Sequence, residues 1–69
     1  MSNVEAAVLA GEVGVLTQVL GIIDDIAARA IDNGQVQTAV LAHRIREHVI
    51  ELRAPLLKGL REATTHDQM

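Results

Sequence analysis

From Ala6 to Ala30 the chain sets apolar residues in four adjacent columns of a seven-residue repeat. Ala6, Val13, Leu20 and Ala27 make one column, and Leu9, Leu16, Ile23 and Ala30 a second. Val8, Val15 and Ile22 form a third, Val19 and Ile26 a fourth. Such a repeat is helical, because side chains three and four apart stack on one face of an α-helix. Two columns suffice for a seam between two helices. Four contiguous columns cover about 200° of the wheel, against the ~100° that a surface helix normally buries. One partner helix cannot cover that arc. The pattern predicts an all-α protein, an antiparallel two-helix hairpin that dimerises into a four-helix bundle.

The boundaries are signed locally. Ser2 and Glu5 have the S-x-x-E spacing of a capping box, in which each side chain satisfies a backbone N–H at the helix start. Asn33-Gly34 closes the first helix, since these residues take the left-handed conformation that ends helices. The first helix is expected at about 3–33 and the second at about 36–63, with a frayed polar tail over 64–69, all in one domain of 1–69. So short a connection makes the helices antiparallel neighbours. The second helix has core columns Ala42, Val49, Leu56, Ala63 and Ile45, Leu52, with Leu41 beside them. Pro55 lies inside it and predicts a kink, or a break with a short final helix, because proline removes one backbone hydrogen bond. The core and dimer contacts are thus assigned to Leu9, Val13, Leu16, Leu20, Ile23, Ile45, Val49, Leu52 and Leu56. A line of small residues, Ala7, Gly14, Gly21 and Ala28, marks either a close helix approach or a solvent edge.

Composition explains why a second copy is needed. In 69 residues there is no cysteine and no aromatic side chain, so disulfides, Cys-based zinc sites and large buried rings are all missing. Nearly half the residues are nonetheless aliphatic. Oligomerisation is the staple left. Lack of cysteine and an acidic start without a basic export signal point to the cytoplasm. The uncharged run Val13 to Ile23, between Glu12 and Asp24, falls short of the ~20 residues a membrane span needs, so no membrane partner is expected. Net charge is −3, and the half up to Gly34 has five acids against Arg29 alone. That distribution argues against a nucleic-acid partner, which would need a basic face.

Catalytic chemistry finds no support. His43 and His48 lie five apart, about 140° around a helix, so they cannot hold one ion, and no metal or cofactor is expected. His48 reads as a semi-buried seam residue and His43 as an outer one. Gly11, Gly14 and Gly21 fall within a helix, not in a phosphate-binding turn. Asp24 and Asp25 are adjacent and point about 100° apart, which rules out an acid/base pair. A binding role remains. Arg46, Ile50, Arg53 and Leu57 form a stripe of alternating arginine and aliphatic outside the expected core. It is assigned either to the dimer's own contact or to a foreign partner, since arginine is enriched at interfaces. Asp24, Asp25 and Asp32 near the turn form a solvated face or meet a basic partner surface.

Length, a helical hairpin, absence of aromatics and dimerisation together resemble the small early proteins that bacteriophages make to disarm host proteins, in particular phage quorum-sensing anti-activators. The resemblance implies a homodimeric inhibitor in the host cytoplasm. Its target would be the basic DNA-binding domain of a LuxR-type quorum-sensing regulator, with a type IV pilus assembly ATPase as a further one. The rival reading is an RNA-binding or purely structural bundle, like the hairpin protein that controls plasmid copy number. Without aromatics, such RNA binding would rest on Arg44, Arg46, Arg53 and Lys58 and not on base stacking.

Overall fold

The computed structural model describes residues 3–67, which form two helices: α1, Asn3–Asp32, and α2, Val36–Asp67. No strand occurs among the described residues. The capping-box serine, Ser2, and the tail end at 68–69 lie outside the described residues. The hairpin measures 51 × 15 × 15 Å. Its radius of gyration is 15.6 Å, against about 11 Å for a compact domain of this length. Two helices laid side by side cannot be round.

The turn sets the geometry. Gly34 has φ of 71°, the left-handed value that a side chain would strain. Gln35 donates to the Ala30 carbonyl at 2.8 Å and Gly34 to the Ile31 carbonyl at 3.1 Å. These two bonds satisfy the last carbonyls of α1 in a Schellman arrangement. Gln35 then accepts from Ala39 at 3.1 Å and opens α2. Reversal takes three residues, so α2 runs back along α1. The alignment is visible down the pair: Arg46 sits beside Asp24, Arg53 beside Thr17, and Gly59 against Leu9.

Leu20, Ile23, Ala42 and Val49 form the buried cluster, with Leu16, Val19, Ala27 and Ile50 packed on it. Ala30 and Ala63 are buried towards the two ends. Of the expected core, Leu20, Ile23 and Val49 are buried, while Leu9, Val13, Leu16 and Leu56 are half-buried. Ile45 and Leu52 are different. They are 52% and 50% exposed, and Leu41 is exposed beside them. Within the hairpin they are not core. The seam of α2 instead runs along Ala42, Val49, Leu56 and Ala63 and is completed on its other flank by Arg46, Ile50, Arg53 and Leu57, all half-buried. Long arginine stems can cover apolar surface while the charged head stays at the edge, so this rotation is available to α2.

Two boundaries also differ from expectation. α2 passes through Pro55 without a break and continues past Ala63 to Asp67. Thr64, Thr65 and His66 are weak helix formers but not breakers, so they follow the helix that precedes them.

Replacing Leu20 by alanine deletes a buried side chain at the centre of the cluster. The expected loss is about 2–4 kcal/mol, read from urea unfolding followed by far-UV circular dichroism. Gly34→Ala should cost roughly 1 kcal/mol in the same assay, because alanine resists a positive φ.

Candidate functional site

The hairpin has two long faces of unlike chemistry. On one, α1 contributes Thr17 and Asp24 next to its core columns, and α2 contributes Arg46 and Arg53. Arg46 Nε donates to Asp24 Oδ1 at 2.9 Å, an ion pair whose side chains are about half exposed. Arg53 Nη1 donates to Thr17 Oγ1 at 3.2 Å, and that hydroxyl in turn donates to the Val13 carbonyl at 2.8 Å. Arg53 Nε is buried in the seam without a protein acceptor. Next to this ladder, Gly14 and Gly21 face open space. Between the close-approach and solvent-edge readings of the small-residue line, the hairpin itself uses the second.

The same side carries a groove of about 410 Å³ at the turn, lined by Ile31, Gly34, Val36, Ala39, Val40 and His43 among others. Residues of α1 and α2 that flank the seam on this side thus border one groove, which fixes which flanks of the two helices lie together. His43 is exposed and pairs with Glu47 across one turn of α2 at 3.1 Å.

On the opposite side the third and fourth columns of α1 meet the columns of α2 that the seam left out. Val8, Val15 and Ile22 are exposed there, as are Leu41, Ile45 and Leu52. A groove of about 560 Å³ runs along its N-terminal part between Val8, Val15 and Leu56. His48 is exposed on the same side of α2, so it is not a semi-buried seam residue. Monomeric proteins rarely leave contiguous apolar surface of such extent in water.

The residues assigned to partner binding are therefore split. Arg46, Ile50, Arg53 and Leu57 are not an outward stripe but a flank of the intramolecular seam, with Ile50 packed on the core. Their partly exposed edges, with Asp24, lie on the polar side. Asp25 is exposed, away from the seam. Arginine periodicity in the sequence marks this flank but does not say that its heads reach across to Thr17 and Asp24. Two of the four bases that an RNA would need, Arg46 and Arg53, are engaged within the hairpin. No group of three or more metal-ligating side chains occurs among the described residues.

α1 is also long and apolar enough to cross a membrane: within Val4–Asp32 an 18-residue window reaches a mean hydropathy of 1.9. The expectation that the apolar run is too short counted only the uncharged stretch. Extended back past Glu12 to Ala6, the run reaches spanning length with that single ionisable residue inside. No protein-family model matches the chain, and neither a curated protein nor a solved structure matches it significantly.

The Arg46–Asp24 contact tests how the polar side is held. A double-mutant cycle at this pair should give a coupling below about 1 kcal/mol, because both groups are half in water. The coupling should shrink towards zero in about 1 M salt, where screening acts within roughly 3 Å.

Proposed function

We propose that this chain is a non-enzymatic protein-interaction module, a homodimeric four-helix bundle of two hairpins that works by holding and inhibiting a host regulatory protein. The observation that supports the reading is the amount of apolar surface the hairpin leaves in water. Eleven large aliphatic side chains among the described residues are 44% exposed or more. Pairing two hairpins covers such surface, and the polar sides then remain outward for a further partner. The acids near the turn, Asp24, Asp25 and Asp32, suit a basic partner such as the DNA-binding domain of a LuxR-type regulator.

Two measurements test this. Light scattering behind a sizing column should give twice the 7.4 kDa of one chain, and the melting temperature should rise with protein concentration. A folded monomer with a concentration-independent melt overturns the dimer. Separately, a purified LuxR-type DNA-binding domain should co-elute with the protein. Asp25→Lys should weaken that complex by tenfold or more, about 1.4 kcal/mol. Absence of a complex overturns the anti-activator assignment.

One observation favours a second reading, the length and hydropathy of α1, which suit a membrane span. The hairpin argues against it. α2 runs alongside and would take Arg44, Arg46, Glu47, Glu51 and Arg53 into the hydrocarbon, at roughly 2.5–3.5 kcal/mol for each arginine near the centre. Carbonate-resistant sedimentation with membranes would favour the span, while recovery in the soluble fraction favours the module.

A further inference from the structure

We infer that the two faces of the hairpin divide the work, and that the face bearing Val15, Ile22, Ile45 and Leu52 is the one covered by a second copy of this chain. The inference rests on the dimer proposed above and names its surface. Three observations lead to it.

The first is area. The chain exposes 5187 Å², whereas a compact monomer of its mass would expose about 4,200 Å². The excess of about 1,000 Å² per chain is about 2,000 Å² for two, the amount that a stable homodimer buries. A single side-chain pocket or a short peptide would leave most of it in water.

The second is placement. Of the large exposed aliphatics, Val8, Val15, Ile22, Leu41, Ile45 and Leu52 share this side, spread along roughly 27 Å of α1 between Val8 and Ile26. Ile31, Val36 and Val40 gather around the turn groove on the other side, and Val4 stands at the start of α1. Polar cross-links from α2 to α1 are found on that other side, at Thr17 and Asp24.

The third is charge. Between Glu12 and Arg29 the third and fourth columns of α1 hold no ionisable residue, and the facing columns of α2 hold only His48 between Leu41 and Pro55. A neutral surface does not repel its own image, so a two-fold axis can bring it onto itself without like charges meeting. It offers nothing to select a charged partner. A lipid surface is the competing occupant, but net charge −3 and the acids of α1 oppose binding to anionic headgroups.

The protein has no cysteine, so single cysteines report one site each. Ile22→Cys and Leu52→Cys probe the apolar face, and Ala7→Cys and Ala28→Cys the opposite side. Maleimide labelling of the first two should be at least tenfold slower than of the second two at concentrations where light scattering reads a dimer. The difference should disappear on dilution to monomer. Ile22→Glu should give a monomer at concentrations where Ala28→Glu stays dimeric. Equal labelling at all four sites in a protein that is still a dimer overturns the face assignment and leaves the dimer standing. A monomer at every concentration overturns both. Protection of Ile22→Cys and Leu52→Cys only when phosphatidylcholine vesicles are added would assign the face to lipid and overturn the inference.

Discussion

A straight helix covers only a narrow strip of the helix beside it, and α1 is apolar over roughly twice that width. The rest of the molecule is organised by this mismatch. When α2 folds back it buries Leu20, Ile23 and the neighbouring columns and can reach no further. Whatever apolar surface remains must lie on one flank of the seam or the other. In this hairpin it falls mostly on one flank, since α2 turns its own surplus, Ile45 and Leu52, to the same side as Val15 and Ile22.

What makes α2 turn that way is not the apolar pattern alone. Arg46 and Arg53 occupy half-buried positions where a simple reading of helix pairing would put leucine. Their stems fill the flank, and their heads find Asp24 and Thr17 on α1. Neither contact is strong by itself at this exposure. Together they mark the rotation of α2 in this hairpin, in which both arginine stems lie along the seam and their heads reach groups of α1. The polar ladder and the bare face are thus two results of one choice.

The proposed function follows the same division. A small aliphatic protein without Phe, Tyr, Trp or disulfides has little to stabilise a separate core, and in the proposed dimer self-association and folding would become one process. In the proposed dimer the polar sides, with Asp24, Arg46 and the turn groove, face outward. The acids near the turn then meet solvent or a basic partner, and the apolar surface is out of reach. An inhibitor built this way would present charge and shape to its target and keep its hydrophobic face for itself.

The two helices, their antiparallel order and the turn were legible in the residues, since heptad spacing and Asn33-Gly34 act locally and need no partner. So was the central core at Leu20, Ile23 and Val49, where the columns of both helices are apolar. The side of α2 that faces α1 was not legible. Ile45 and Leu52 are as apolar as true core residues, and Arg46, Ile50, Arg53 and Leu57 look like a surface stripe. Periodicity records which residues share a face of one helix, but it carries no information about how far that helix is rotated against another. That angle is decided by contacts between residues far apart in sequence, here Arg46 with Asp24 and Arg53 with Thr17, and only the tertiary structure contains them.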